Sequence, residues 1–291
     1  MQPRHIRVDT KGFFFTVSRH TLSRDFEMHT HNVTELVVVI GGVAEHHIND
    51  ARHVVRRGDV YVVNPGTAHA FSRTEGTVIY NLSYPATLPA DIAPELARIP
   101  GYQSLFVIGP RSHAASGFAC RLMLSTHDLA VLERKIETLW AELRGKEPGY
   151  EALVKAYFTD ILAFLSRRYV PASSAPAAGT YYKAAHAASF LESNFSDNIT
   201  LAGAAKAVGL SVRHLTRLFG ECFGVSPIDY LLRVRISRAA DMLRSSDASV
   251  SDIAYDCGFS DSNYFTRMFR RETGTTPVRY RMNARLDTAA R

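Results

Sequence analysis

The sequence predicts an α+β protein with a β-barrel or β-sandwich in its N-terminal half and an all-helical C-terminal half. Two observations predict these halves. Short β-branched or aromatic runs alternate with turn residues up to about residue 85, and apolar residues recur at three- and four-residue steps after Ser125. A third observation separates the halves, because residues 171–180 are small residues and prolines, the composition of a flexible linker. We therefore predict domains at 1–170 and 181–291, joined by a linker at 171–180.

The N-terminal elements are predicted to be short strands separated by turns. The strand-like runs are Phe13 to Val17, Leu36 to Ile40, Val60 to Val63 and Thr77 to Leu82. The turn signals include Gly41-Gly42, Asn49-Asp50 and Asn64-Pro65-Gly66. Strands that alternate with turns in this way are typical of an antiparallel barrel or sandwich.

Two long helices are predicted to follow the β region. The first begins after Ser125 and ends near Gly145, and the second runs from about Tyr150 to Tyr169. Each has one apolar stripe at helical spacing. Two such helices either cap the core of the barrel or form a helix-to-helix dimer surface, and the sequence is compatible with both roles.

An internal repeat occupies the C-terminal half. Residues 200–230 match residues 249–280, first at an offset of 49 positions and then at an offset of 50. The identical pairs are Ala205/Ala254, Gly209/Gly258, Ser211/Ser260, Thr216/Thr266, Arg217/Arg267, Phe219/Phe269, Gly224/Gly274, Pro227/Pro277 and Tyr230/Tyr280. So many aligned identities make chance a poor explanation, and we infer two copies of one unit.

Each copy is predicted to be a helix-turn-helix. A short helix, Leu201 to Val208 or Val250 to Cys257, is followed by a Gly-x-Ser turn. The glycine suits a left-handed helix cap, and the serine suits the N-cap of the next helix. That second helix, about Val212 to Phe223 or Asp261 to Thr273, is the one that such motifs lay in the DNA major groove. A further helix from Pro227 to Arg244 is predicted to hold the two copies at a fixed spacing.

The helical period assigns the faces of the two recognition helices. The predicted buried residues are Leu215, Leu218, Phe219 and Cys222 in the first helix and Phe265, Met268 and Phe269 in the second. The predicted outward residues are Arg213, Thr216 and Arg217 in the first and Asn263, Thr266, Arg267 and Arg270 in the second. Arginine can pair with guanine, asparagine with adenine, and threonine can contact a thymine methyl group or a phosphate. The alternative is a merely solvated polar face, which the recurrence of Thr-Arg on the same face of both copies disfavours.

Composition and charge narrow the class of protein. The 291 residues are 46% apolar and 21% charged, which excludes fibrous, collagenous and disordered chains. The net charge is +6, and its excess lies toward the C-terminus, since 1–170 have 19 basic and 17 acidic residues but 183–291 have 15 and 11. Such a distribution suits a nucleic-acid partner. No apolar stretch suffices for a membrane span or a secretory signal, so we expect a cytoplasmic protein. Three scattered cysteines disfavour a disulfide framework.

Residues 183–283 resemble the two-headed DNA-binding domain of the AraC/XylS family of bacterial transcription regulators. The stretch from Asp252 to Arg281 matches the signature of that family nearly throughout. The resemblance implies that the outward residues of both recognition helices contact double-stranded DNA, namely Arg213, Thr216, Arg217, Ser262, Asn263, Thr266 and Arg267. It also implies a regulator of transcription initiation, often an activator that contacts RNA polymerase.

The N-terminal half more loosely resembles the cupin-like domain with which this family binds effectors and dimerises. His29, His31 and Glu35 follow the spacing of the first cupin motif, and His69 stands where the second motif places its histidine. Arg73 replaces the usual asparagine of that second motif. Because the spacing of the first three residues is even, an extended strand would present them on one face.

Three interpretations of His29, His31, Glu35 and His69 remain open. They could hold a divalent first-row metal such as zinc, nickel, iron or manganese. They could instead hydrogen-bond a small-molecule effector in the mouth of the barrel, or they could be ordinary strand residues. We expect them to line the effector pocket with or without a metal.

The leading functional hypothesis is a ligand-responsive, homodimeric DNA-binding regulator with no catalytic activity. The alternative is a metal-dependent cupin enzyme, an isomerase or oxygenase, with an accessory DNA-binding tail. That alternative requires a bound redox metal and turnover, whereas a regulator tolerates loss of the metal. A third possibility is a constitutive DNA binder whose sensor domain is degenerate, so that its affinity for DNA is indifferent to any small molecule.

Overall fold

In the computed structural model, which describes residues 3–10, 13–49, 51–85, 93–110, 121–169 and 176–289, the N-terminal part contains a sheet of eight strands. The strands are β1 (Arg4–Ile6), β2 (Thr16–Leu22), β3 (Phe26–His31), β4 (Thr34–Ile48), β5 (Ala51–Arg56), β6 (Asp59–Val63), β7 (His69–Tyr84) and β8 (Leu122–Met123). Strand β4 pairs with β5, β6 and β7, and β7 also pairs with β2 and β3. All pairings are antiparallel except that of β1 with β3.

The sheet has a different apolar core on each face, because successive side chains of a strand point to opposite sides. Leu36 and Val38 of β4 belong to a core that the helices cover. Val37 and Val39 of the same strand belong to a second core within the sheet. The other members of that inner core are Leu22, Ala44, Ile48, Val55, Tyr61, Val63, Phe71 and Ile79. The inner core surrounds the candidate ligand site.

The prediction that Gly41-Gly42 forms a turn is wrong, because β4 continues through both glycines. The register between β4 and β7 shifts on either side of them, which is the mark of a β-bulge. Gly42 has a φ of 70°, and a Cβ atom there would lie 2.3 Å from the carbonyl oxygen of Glu75. A glycine is therefore required where the long strand bends.

Helices cover the outer face of the sheet. They are α1 (Ala93–Leu96), α2 (Pro100–Tyr102) with a π-helical turn at Gln103–Ile108, α3 (Thr126–Gly145) and α4 (Tyr150–Arg168). The two long helices match their predicted bounds, and Ser125 caps α3 by accepting a hydrogen bond from the backbone amide of Asp128. Strand β2 begins only at Thr16, so Phe13 and Phe15 of the predicted strand instead pack against the rings of Tyr150 and Phe158.

The next helix, α5 (Pro176–Ser193), lies where the two compact units of the chain, 1–186 and 187–291, meet along the sequence. The first residues of this helix, 176–180, are the last five of the predicted linker. The rest of that linker, 171–175, lies outside the described residues. Within the described part of the chain, no helix is both long enough and apolar enough to cross a membrane.

The C-terminal unit repeats one three-helix pattern. Its helices are α6 (Leu201–Ala207), α7 (Val212–Phe223), α8 (Pro227–Ser245), α9 (Val250–Asp256), α10 (Ser262–Thr273) and α11 (Pro277–Ala289). Gly209 and Gly258 have φ values of 65° and 80°, as predicted for the two turns. Ser211 caps α7, which confirms one predicted N-cap. The prediction for Ser260 is wrong, because Asp261 accepts the capping hydrogen bond from the amide of Tyr264.

Candidate functional site

A cavity of about 320 Å³ opens inside the sheet. It is lined by Ile6, His20, Thr21, Leu22, Ser23, Arg24, Phe26, His29, Glu35, Val37, His69, Phe71, Ile79 and Asn81. Six of these residues are apolar and eight are polar or ionisable, so the cavity offers apolar contacts together with several hydrogen-bonding groups, as small-molecule sites do. Three of the four predicted effector ligands, His29, Glu35 and His69, line the cavity, whereas His31 is not among the lining residues. His29 and His69 come from paired positions of β3 and β7.

The structure brings the four predicted residues together. His31 Nε2 lies 3.1 Å from His69 Nε2, and Glu35 Oε2 lies 3.4 Å from the former and 3.8 Å from the latter. The ring of His29 lies beside that of His69, with 4.2 Å between the centroids. All three imidazoles are buried, since they are at most 7% exposed.

Backbone carbonyls orient the histidines. His31 Nδ1 lies 2.7 Å from the carbonyl oxygen of Val33, and His29 Nδ1 lies 2.9 Å from that of Glu27. A carbonyl oxygen only accepts, so each Nδ1 is the donor, and in the neutral ring the lone pair is on Nε2. Nε2 is thereby the nitrogen free to accept a proton or to bind a metal.

Burial also sets the charge of the cluster. Desolvation lowers the pKa of His69 well below its ordinary value, and the neighbouring His29 and His31 lower it further. Desolvation likewise lowers the pKa of His29, although its hydrogen bond to the Glu27 carbonyl acts in the opposite direction. Both rings are therefore neutral at pH 7, which is the state in which imidazole binds a metal or accepts a hydrogen bond.

The spacing of three of these groups fits a metal ion. A point equidistant from His31 Nε2, His69 Nε2 and Glu35 Oε2 lies about 2.0 Å from each, which is the length of a zinc–nitrogen or zinc–carboxylate bond. His29 stands outside this triangle, since the ligand atoms that meet within 4.8 Å in the described residues belong to His31, Glu35 and His69. The same atoms also fit a chain of hydrogen bonds in which His69 donates to His31.

His46 and Asn81 also belong to this site, although neither is among the residues predicted from the sequence. His46 is fully buried, its Nε2 lies 3.2 Å from His69 Nδ1, and its ring stacks on Phe71. His47 points to the other side of the strand, as adjacent strand residues do, and its Nε2 lies 2.7 Å from the hydroxyl oxygen of Ser72. The carboxamide oxygen of Asn81 is buried beside the cavity without a hydrogen-bond partner. The position of His46 in β4 could have indicated a buried strand histidine. Only the pairing of β4 with β7 shows that His46 contacts His69.

The first recognition helix, α7, has the predicted faces. Leu215, Leu218, Phe219 and Cys222 are all buried. Arg213, Thr216 and Arg217 are exposed. The hydroxyl of Thr216 donates to the carbonyl of Val212, so its methyl group is left for outside contacts. Arg217 forms an ion pair with Glu221, with 2.6 Å between Nη1 and Oε1.

The second recognition helix, α10, also follows the prediction. Phe265 and Phe269 are buried and Met268 is half-buried. Asn263, Arg267 and Arg270 are exposed, whereas Ser262 and Thr266 are half-buried. The guanidinium carbon of Arg267 lies 5.9 Å from the ring centroid of Tyr264. Both recognition helices thus expose arginines beside small polar groups, an arrangement that suits DNA.

Comparison with known proteins gives matches along most of the chain. A family model described as an AraC-like ligand binding domain matches residues 14–162, more than half of the chain, and a helix-turn-helix domain model matches residues 204–283. The HTH-type transcriptional activator RhaR of Salmonella dublin is 28% identical over 257 residues, which are 88% of this chain and 87% of that protein. RhaR of Escherichia coli K12 is 28% identical over 264 residues, with 90% and 89% coverage.

Solved structures match the C-terminal part. The transcriptional regulator with an AraC-type DNA-binding domain from Chromobacterium violaceum is 33% identical, covers 37% of this chain and 96% of its own, and superposes with a TM-score of 0.35.

Proposed function

The chain belongs to the AraC family of DNA-binding transcription regulators, and from this premise we propose that it is a ligand-responsive transcriptional activator. Its relatives with near-complete coverage are transcriptional activators. They are regulators rather than enzymes, so the alternative of a metal-dependent cupin enzyme has no support. The observation on which the proposal rests is the combination of a ligand-sized cavity in the N-terminal unit with two exposed recognition helices in the C-terminal unit.

We propose that α7 and α10 lie in successive major grooves of double-stranded DNA. The proposed contacts are Arg213, Thr216, Arg217, Ser262, Asn263, Thr266 and Arg267. The exposure of the arginines and of Asn263 supports this assignment, because these side chains can form paired hydrogen bonds with base edges.

An operator selected from random duplexes tests the DNA contacts. Arg267→Ala should weaken binding to that operator by about 1 to 3 kcal/mol, the value of one good arginine contact. Arg52→Ala removes the same charge from an exposed position of β5 and serves as the matched control. Equal operator affinity for both variants would remove Arg267 from the interface.

We propose that the cavity binds a small-molecule effector and that His29, His31, Glu35 and His69 contact it. The volume of the cavity lies at the lower end of the range for ligand sites and supports this assignment. An effector controls DNA binding only if it has different affinities for the active and inactive arrangements of the protein. The double variant His31→Ala with Glu35→Ala should therefore keep operator binding and lose its response to the effector.

The chain offers a matched control for this experiment. His47 and Glu45 form another histidine–carboxylate pair on β4, 3.8 Å apart, but they lie outside the cavity lining. His47→Ala with Glu45→Ala should keep the effector response. If the cavity double variant kept it as well, the cluster would have no part in effector binding.

We also propose that the cavity holds a divalent first-row metal, namely zinc, nickel, iron or manganese. Two imidazoles and one carboxylate at suitable distances support a metal and would leave further coordination positions open to an effector. Metal analysis of the purified protein should find close to one ion per chain. The ion should be absent from the double variant His31→Ala with Glu35→Ala and present in the control variant His47→Ala with Glu45→Ala. No metal in any of them would leave the cluster to direct contacts with an organic effector.

We propose that residues 1–170 form a homodimer, with α3 and α4 as the contact surface. Leu153 of α4 is 44% exposed, which supports an apolar contact there. Joining two DNA-binding units raises the apparent affinity through effective concentration. Sedimentation should find the full chain and fragment 1–170 dimeric and fragment 181–291 monomeric; a monomeric full chain at micromolar concentration would contradict the proposal.

As an activator, the protein is further proposed to contact RNA polymerase and to act in the cytoplasm, where it has access to DNA. Transcription in vitro from a promoter with the selected operator tests the first point. Operator-dependent stimulation is expected with purified polymerase alone, and its absence would contradict direct contact.

A further inference from the structure

The two recognition helices differ in charge at equivalent positions of the repeat. The first copy has Arg213, Gly220 and Glu221 where the second copy has Asn263, Arg270 and Arg271. All six residues are exposed. These positions have no net charge in the first copy and a net charge of +2 in the second, where Glu272 pairs with Arg271 and the charge of Arg270 is the one that remains in excess. The repeat therefore duplicates the fold and the Thr-Arg pair, but it does not duplicate the electrostatic potential of the surface.

The arginines shared by both copies also differ in their surroundings. Arg217 is held by Glu221 one turn further along α7, with 2.6 Å between the guanidinium and carboxylate atoms. At the equivalent place α10 has Arg271, so Arg267 has no carboxylate in that position and lies beside Tyr264 instead. In the described structure, the guanidinium of Arg270 forms no hydrogen bond or ion pair, whereas its backbone carbonyl accepts a hydrogen bond from the amide of Gly274.

We propose that Glu221 determines sequence specificity in the first recognition helix and that the two helices make different kinds of contact with DNA. The second helix adds attraction to phosphates through Arg270, whereas Glu221 restricts the first helix to reading bases. This inference rests on the proposed placement of α7 and α10 in major grooves. Glu221 repels phosphate groups, so it disfavours backbone contacts that are equally good on every sequence.

The ion pair still allows Arg217 to recognise a base. A guanidinium has five N–H donors, and the carboxylate of Glu221 uses only part of that set, so the remaining donors can face the O6 and N7 atoms of guanine. The pair also restricts the directions in which Arg217 points, which reduces the conformational entropy lost on binding. Glu221 itself can accept a hydrogen bond from the N4 amino group of cytosine.

The salt dependence of the affinity for DNA distinguishes base contacts from phosphate contacts. Each phosphate contact adds about 0.9 to the slope of log affinity against log salt concentration. Between about 50 and 200 mM salt, one contact more or less changes the loss of affinity about 3.5-fold. A base contact to an uncharged edge leaves that slope almost unchanged. The two types of contact are therefore distinguishable with the intact chain and two DNA probes.

The experiment measures the affinity of the full-length protein for the selected operator and for a random-sequence duplex over that salt range. Glu221→Gln should steepen the slope by about 0.9, raise affinity for the random duplex and lower the ratio of operator to random affinity. Arg270→Ala should flatten the slope by a similar amount on both probes. Arg217→Ala should weaken operator binding with little change of slope. Glu75→Gln, an exposed charge change in β7, is the matched control.

A wild-type slope and selectivity in Glu221→Gln would overturn the proposal. So would equal changes of slope in Arg217→Ala and Arg270→Ala, because the helices would then share the phosphate contacts. Circular dichroism of each variant checks that the helices remain folded. A wild-type chain that binds neither duplex would contradict the proposed function itself, which distinguishes that failure from a failure of the division between helices.

Discussion

Lowering the pH should destabilise the N-terminal unit, because His69 is buried in its neutral form. Burial and the adjacent rings of His29 and His31 lower the pKa of His69 well below 6.5. In the unfolded chain the same imidazole has an ordinary pKa near 6.5 and takes up a proton below that pH. The stability that neutral His69 contributes is therefore fully present above about pH 6.5 and is lost as the pH falls toward the lower pKa of the folded protein.

The size of the effect follows from the number of protons involved. One proton bound by the unfolded state alone costs about 1.4 kcal/mol of unfolding free energy for each pH unit within this window. Solvent screens the effect little, since His69 is 2% exposed. The pKa of His29 is lowered as well, so its contribution has the same sign. The unfolded imidazole is only half protonated at about pH 6.5, so we expect His69 to account for a loss of about 1 kcal/mol between about pH 6.5 and pH 5.5.

Urea unfolding followed by the fluorescence of Trp140 measures this loss. Trp140 is the only tryptophan of the chain and lies in α3, in the same unit as the histidines. A chelator in all samples removes metal ions from the comparison. His69→Gln keeps a polar side chain but cannot titrate, so it should lose about 1 kcal/mol less stability than the wild type between about pH 6.5 and pH 5.5.

The exposed His127 provides the matched control, and His127→Gln should retain the wild-type dependence on pH. If His69→Gln lost as much stability as the wild type between about pH 6.5 and pH 5.5, His69 would not be neutral in the folded protein. The electrostatic description of the cavity would then be wrong.

Three further predictions concern residues that stabilise each unit internally. Phe219→Ala and Phe269→Ala remove equivalent, fully buried rings of the repeat and should each cost about 3 to 5 kcal/mol in denaturation followed by circular dichroism; a loss under about 1 kcal/mol in either would contradict its assigned core position. Asp261→Ala removes the N-cap of α10 and should lower the free energy of unfolding by about 1 kcal/mol, whereas Ser260→Ala should lower it much less. A larger loss in Ser260→Ala would show that Ser260 is the N-cap. Gly42→Ala should destabilise the sheet far more than Gly66→Ala in the Trp140 assay: both glycines have positive φ, but only at Gly42 would the added Cβ meet a backbone carbonyl. Equal losses would contradict the described bulge.

The recognition helices could be predicted almost residue by residue because their determinants are local. Predicted and observed bounds of α7 are the same, Val212 to Phe223, since a serine caps its start and the left-handed Gly224 follows its end. The buried stripe follows from the helical period, which relates residues only three or four positions apart. The repeat added a second test of each assignment, because the same pattern recurs in α10.

The β region was less predictable because strand pairing joins residues far apart in sequence. Gly41-Gly42 has the composition of a turn, and only the presence of β7 alongside makes it a bulge within one 15-residue strand. The contact between His46 and His69 likewise depends on strand pairing. Its position opposite Phe71 depends on the register of β4 against β7, which places it beside His69.

The sequence by itself determined the long helices after Ser125, the bounds and faces of the recognition helices, the cap at Ser211, the repeat, and the identity of the residues able to bind a ligand. These properties depend on neighbours within about one helical turn or on the alternation of one strand. Only the tertiary structure decided that His31, Glu35 and His69 share one centre, that His29 stands beside it and that His46 supports it. His31 and His69 are 38 positions apart, and their meeting depends on how β3, β4 and β7 pair. A shift of one residue in that pairing would turn the side chains of a strand to the opposite face of the sheet.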